Sequence, residues 1–193
     1  DPAAYPAGPA DAIASAGPAE RELRVLFVGR LVPEKGADVL LRAFAAVRSR
    51  VPHARLVIVG DGDQALYLRR LARYFGLARE VEFAGWLTGD ELVHAYRRAA
   101  VVAVPSRYEP FGLVALEAMS CGRPVVASRI GGLAEIVKHE TTGLLVPTAD
   151  HLALAQGLVR LLTYGRGRAA VGRAARNRAL DYPGPAVAAA TER

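Results

Sequence analysis

The chain has 193 residues, 52% of them apolar, and a formal net charge of +6. That length suits one domain with a real core, and no apolar run approaches the ~20 residues needed to span a bilayer. The single cysteine, Cys121, excludes a disulfide framework within the chain and fits a reducing compartment.

Residues 1–22 are rich in Ala, Pro and Gly without a hydrophobic period, and read as a linker or poorly ordered tail. Asp1–Gly17 has neither the basic nor the apolar region of a signal peptide, so a cytoplasmic location is expected. The chain opens without Met and reads as a fragment or a processed product. Arg24–Gly29 is the first predicted strand, followed by a loop to Gly36 and an amphipathic helix over Ala37–Arg50. Arg55–Gly60 is a second strand, and a Gly/Asp turn leads to a helix over about 63–75. A third strand follows at 81–84. Thr88-Gly-Asp-Glu91 has the form of a capping box and opens a helix to about Ala99. Ala100–Val104 is a fourth strand, and a helix begins near Gly112. A fifth strand at Arg123–Ser128, a short helix over Gly131–Lys138 and a sixth strand at Leu144–Val146 come next. Helices over Asp150–Tyr164 and Gly167–Leu180 close the reading.

Short apolar strands alternating with helices predict an α/β fold, a doubly wound parallel sheet of about six strands covered by helices on both faces. Ligands of such sheets sit beyond the carboxyl ends of the strands, where four loops draw attention. Arg30 and Lys35 follow the first strand and could either meet a phosphate or remain solvated. Gly60-Asp-Gly-Asp63 could hold a metal bound to a diphosphate through Asp61 and Asp63, but reads better as a turn that caps the next helix. Glu109 precedes, and Glu117 follows, a helix start at Phe111–Val114. The free N–H groups and positive end of such a helix suit an anion, and the two acids suit sugar hydroxyls; both could equally be solvated. Gly131-Gly132 permits a close backbone approach, to a ligand or within a turn. Trp86 could flank a base or pack. His53, His94, His139 and His151 show no ligand spacing and Cys121 reads as a small packed hydrophobe, so neither zinc nor acyl-transfer chemistry is expected. The basic residues near the end, Arg166 to Arg178, are spread along a helix without interleaved aromatics, so no nucleic-acid partner is expected.

Glu109-Pro-Phe-Gly-Leu-Val-Ala-Leu-Glu117 resembles the Glu-x7-Glu motif of retaining GT-B glycosyltransferases of the family-4 type. Phe27–Gly36, Leu56–Gly62, Ala118–Ala127, Gly131–Glu135 and Thr142–Val146 resemble further segments of that family in the same order. The resemblance covers about residues 23–163 and concerns the C-terminal, donor-binding domain. It implies that Arg30 and Lys35 neutralise the diphosphate of a nucleotide sugar and, with Glu109, carry catalysis. Glu109, Phe111 and Gly112 would contact the donor sugar, Leu113 and Val114 the phosphate, and Glu117 the ribose. The implied reaction moves a hexose, glucose among the candidates, with retention and without a metal or other cofactor. The N-terminal domain of such enzymes is not matched. On this resemblance residues 1–22 are an interdomain connection and 164–193 a helical tail. The chain alone would then bind a nucleotide sugar weakly and not turn it over, with membrane contact at most peripheral and through the full-length enzyme. The alternative is a non-catalytic nucleotide-sugar-binding or interaction module.

Overall fold

The computed structural model describes residues 23–182, so the expected tail over 1–22 and the last residues, 183–193, lie outside the described part. Six strands form one sheet: β1 (Leu23–Val28), β2 (Ala54–Val59), β3 (Val81–Gly85), β4 (Val101–Val104), β5 (Val125–Ser128) and β6 (Gly143–Val146). Their order is β3-β2-β1-β4-β5-β6, and every neighbouring pair is parallel. Helices α1 (Ala37–Arg50), α2 (Ala65–Tyr74), α3 (Gly89–Arg98), α4 (Leu113–Ser120), α5 (Gly131–Ile136), α6 (His151–Thr163) and α7 (Gly165–Ala179) cover both faces. This is the expected Rossmann-like α/β fold.

The strands are continuously apolar because both faces are buried. Successive residues alternate between two cores. Val25 and Phe27 join Leu56 and Ile58 against Leu40, Phe44 and Val47 of α1 and Leu158 and Leu161 of α6. Leu26 joins Val102 and Val104 against Leu116 and Met119 of α4 and Leu92 of α3. Each such side chain, when fully buried, contributes about 1.5–3 kcal/mol of transfer free energy.

Two local expectations are corrected. Thr88 stands at the start of α3 but its side chain makes no capping bond. The left-handed Gly89 (φ 52) breaks the regular first turn that a capping box needs. The Gly60–Asp63 turn does not cap α2, whose N-cap is Gln64 without a side-chain bond. Instead Asp61 Oδ1 accepts from Gly62 N at 2.8 Å, Leu31 N donates to Asp61 O at 2.8 Å, and Gln64 N donates to Leu31 O at 2.9 Å. The turn is thereby tied to the loop after β1. On α7 the basic residues divide: Arg166 and Arg173 are exposed, and others are tied inward. Arg168 is buried and donates to the Leu162 carbonyl at 3.0 Å, and Arg176 donates to the Ser120 carbonyl of α4 at 2.8 Å.

Candidate functional site

The site begins where two strands part. β1 pairs with β2 over its whole length, Leu23 to Val28, but with β4 only at Val25↔Val101 and Leu26↔Val102. Beyond Leu26 no sheet bonds join β1 to β4, and the connections on the two sides run to opposite sheet edges. That is the crevice in which doubly wound sheets hold ligands. The loop after β1 (29–36) and the loop after β4 (105–112) line it. The first contains a single 3-10 turn, Pro33–Lys35, closed by Gly36 at φ 69. A Cβ on Gly36 would collide with the Pro105 carbonyl, so the two loops touch backbone to backbone there. Gly132 answers the question posed by the glycine pair. Its N–H donates to the Glu109 carbonyl at 3.1 Å, and a Cβ on it would lie 2.6 Å from the Phe111 carbonyl carbon. The close approach is to the second loop itself.

This seating presents Glu109, 7% exposed, to Lys35. Lys35 Nζ lies 2.7 Å from Glu109 Oε2, which also accepts from Ser106 Oγ at 3.3 Å. Glu109 Oε1 accepts from Gly112 N at 3.2 Å, just before the first turn of α4. Gly112 enters α4 at φ 72, and the N–H groups of Leu113 and Val114 follow in the turn where a helix supplies no acceptors of its own. A cation, a carboxylate and a helix N-terminus therefore converge within one crevice. Phe111 stands beside them, 71% exposed.

Glu117 lies one turn further along α4 and is buried. Tyr96 of α3, an internal position four residues after the buried Leu92, donates its hydroxyl to Glu117 Oε2 at 2.6 Å. Burial raises the Glu117 carboxyl from 4.5 to about 7, and the Tyr96 hydrogen bond offsets only part of that. The folded protein thus holds this proton up to about pH 7, whereas the unfolded chain releases it near 4.5. Stability contributed by this group falls as pH rises from about 4.5 to about 7 and is level above. Glu117→Gln is expected to stabilise the fold at pH 8 by roughly 3 kcal/mol, a Tm rise of roughly 6–12 °C, with little change at pH 4. Melting curves at the two pH values test it, and equal shifts at both would reject the assignment.

Of the other residues singled out, Arg30 is exposed, and its side chain has no hydrogen-bond or ion-pair partner among the described residues. The structure brings Lys35, Glu109 and the start of α4 together and leaves Arg30 on the surface of the same loop. Asp61 and Asp63 are both exposed, and among the described residues no three His, Cys, Asp or Glu side chains gather. Trp86 is half exposed beyond the end of β3 and is not part of either core. Cys121 is fully buried, and burial pushes its thiol up to about 12. Among the described residues no helix is long and apolar enough to cross a membrane. Sequence reasoning missed Tyr96, Arg107 and Asp38. The signal for Tyr96 was available: a Tyr on the inner stripe of a helix needs a partner for its hydroxyl. Arg107 holds Asp38 through two 2.8 Å contacts. Burial pulls the Asp38 carboxyl upward, but the Arg107 hydrogen bonds and charge outweigh it and hold it below its ordinary value.

A parallel sheet in this order, with a charged pair and a helix N-terminus in its crevice, defines a nucleotide-binding class of Rossmann-like domain. Residues 10–178 match the family described as glycosyl transferases group 1, and the chain belongs to that family. It is 46% identical over 149 residues to an uncharacterised glycosyltransferase of Methanocaldococcus jannaschii, covering 77% of this chain and 38% of that protein. It is 44% identical over 172 residues to D-inositol 3-phosphate glycosyltransferase of Salinispora tropica, covering 84% of this chain and 36% of the relative. Among solved structures it resembles Anabaena HepE in complex with UDP and glucose, with a TM-score of 0.82 and 28% identity. That likeness covers 100% of this chain and 54% of HepE. The chain thus spans little more than a third of these two curated relatives.

Proposed function

We propose that the chain is the donor-binding half, the C-terminal domain, of a retaining family-4-type glycosyltransferase that moves a hexose from a nucleoside-diphosphate sugar. The observation that carries this reading is the Lys35–Glu109 pair at 2.7 Å, set at the N-terminus of α4 in the crevice between β1 and β4. A diphosphate has the charge for Lys35, Arg30 and the N–H groups of Leu113 and Val114. Glu109, released from Lys35 by the diphosphate, accepts hydroxyls of the donor sugar, with Phe111 and Gly112 alongside. Glu117 takes the ribose hydroxyls. HepE, solved with UDP and glucose, lends the donor class its support.

In the reaction the bond from the anomeric carbon to the diphosphate oxygen breaks, and a bond to the acceptor oxygen forms on the same face. The acceptor proton passes to the departing phosphate. Arg30 and Lys35 stabilise the negative charge that develops there, and no metal is assigned a step. Glu109 and Glu117 are hydrogen-bond acceptors in this scheme, not a glycosidase acid/base pair. Acceptor contacts belong to the part of the protein that the chain does not span, so the isolated chain is expected to bind donor without turnover.

Titration calorimetry of the chain against UDP-, ADP- and GDP-sugars tests the reading. We expect measurable binding of at least one donor, weakened roughly tenfold or more by Glu117→Ala through loss of the ribose contact. Absence of binding across the panel would overturn the function. Robust transfer by the chain alone would overturn its standing as half a site.

A further inference from the structure

Arg107 lies two residues before Glu109 and makes none of the donor contacts proposed above. Its guanidinium forks across Asp38, with Nη1 2.8 Å from Oδ1 and Nη2 2.8 Å from Oδ2. Nη1 also donates to the Pro33 carbonyl at 2.6 Å. The backbone N–H groups of Arg107 and Tyr108 donate to the Glu34 carbonyl at 2.7 and 3.3 Å. These bonds join residues 33–38, within which Lys35 sits, to the stretch that leads directly into Glu109. Sheet bonding does not do this work, because the β1–β4 ladder ends at Leu26 and Val102.

The inner pair, Lys35–Glu109, cannot hold the loops during a reaction. A donor must part it, with phosphate taking the cation and sugar hydroxyls taking the carboxylate. The outer pair is made of different atoms and persists while the inner one is open. We propose that Arg107 is a positioning residue, whose fork on Asp38 fixes the spacing at which Lys35 and Glu109 meet the donor. The consequence for transfer rests on the function proposed above; the coupling of the two loops does not. Only Arg supplies the required shape. A lysine offers one point charge and cannot span both carboxylate oxygens while also reaching the Pro33 carbonyl. Neither Arg107 nor Asp38 belongs to either apolar core, so losing the pair leaves both cores intact and its variants fold.

The test compares the wild-type chain with Arg107→Ala, Arg107→Lys, Asp38→Asn and the exchange of the two residues, Arg107→Asp with Asp38→Arg. Hydrogen exchange is read at Gly36, whose N–H donates to Pro33 O, and at Gly112, whose N–H donates to Glu109 Oε1. We expect exchange at both glycines to quicken by about tenfold or more in each single variant while Tm moves by less than about 5 °C. The exchanged pair should recover part of the protection, as coupled residues do. In the full-length enzyme, Arg107→Ala and Arg107→Lys should lower kcat by about tenfold or more with the acceptor KM within about twofold. Wild-type exchange at both glycines in Arg107→Ala would overturn the proposal, as would full kcat in both Arg107 variants of an active enzyme. If the wild-type chain binds no nucleotide sugar, the functional reading fails while the exchange measurement still decides the coupling.

Discussion

Glu109→Ala in the full-length enzyme is expected to lower sugar transfer by about a thousandfold or more, equivalent to roughly 4 kcal/mol of transition-state stabilisation. Two effects add. On the proposed function the donor sugar loses its acceptor, and Lys35 loses the partner that holds it at 2.7 Å in the free protein. Glu109→Gln separates them. The amide oxygen can still accept from Gly112 N and from a hydroxyl, but the charge facing Lys35 is gone. An intermediate loss of about ten- to a hundredfold is expected. Lys35→Ala should match Glu109→Ala in transfer. It should also destabilise the fold modestly, because a carboxylate 8% exposed is left with only Ser106 Oγ and Gly112 N as donors. Steady-state rates of the three variants, with circular dichroism to confirm folding, decide the matter. Near-normal transfer by both alanine variants would remove these residues from the site.

Gly36→Ala should be among the most costly single-methyl additions in the chain. It meets two obstacles: a left-handed φ of 69 and the Pro105 carbonyl standing where the Cβ must go. Gly76→Ala isolates the first obstacle, because Gly76 has φ 71 and nothing within 4 Å of its would-be Cβ. The Gly76 variant should cost about 1 kcal/mol. The Gly36 variant should cost roughly 3 kcal/mol or more, a fall in Tm of roughly 6–12 °C. It should weaken nucleotide-sugar binding as well, since the only relief is for the two loops to separate. Equal melting temperatures for the two variants would show that the loops do not touch as described.

Periodicity and composition read the frame well because they report which faces are buried. The helix over Ala37–Arg50 was legible to the residue, since Val39, Leu40, Ala43, Phe44 and Val47 follow a 3.6-residue period and Gly36 marks its start. All six strands were legible as apolar runs, with no end displaced by more than two residues. The Thr88 box was misread because the motif does not reveal that Gly89 turns the other way. Within the site, the stretch Glu109–Glu117 was legible as a helix start flanked by acids, and its likeness to a family motif gave those acids roles. The cross-chain pairs were not legible. Arg107 and Asp38 are 69 residues apart, as are no two positions that a local period can link. Lys35 and Glu109 are 74 apart, and only the sheet order, with β1 beside β4, makes them neighbours. Tyr96 and Glu117 meet because α3 and α4 cover the same face. The glycine pair after β5 was ambiguous for the same reason: its neighbour is a loop twenty residues upstream by sequence, at Glu109–Phe111.

The short β1–β4 ladder has a further consequence. The crevice opens where the backbone rungs stop, after two residue pairs. Buried Val, Leu and Phe side chains pack against both faces of the strands that border it. The loops above it join those contacts only at Leu31, and the close approach at Gly36 and the Arg107–Asp38 fork set how near they come to one another. On the proposed function, such a frame separates two problems that selection would otherwise have to solve together: keeping the domain folded, and choosing a donor. On the same reading, donor preference can change at exposed positions of these loops, such as Tyr108 and Phe111, which belong to neither core.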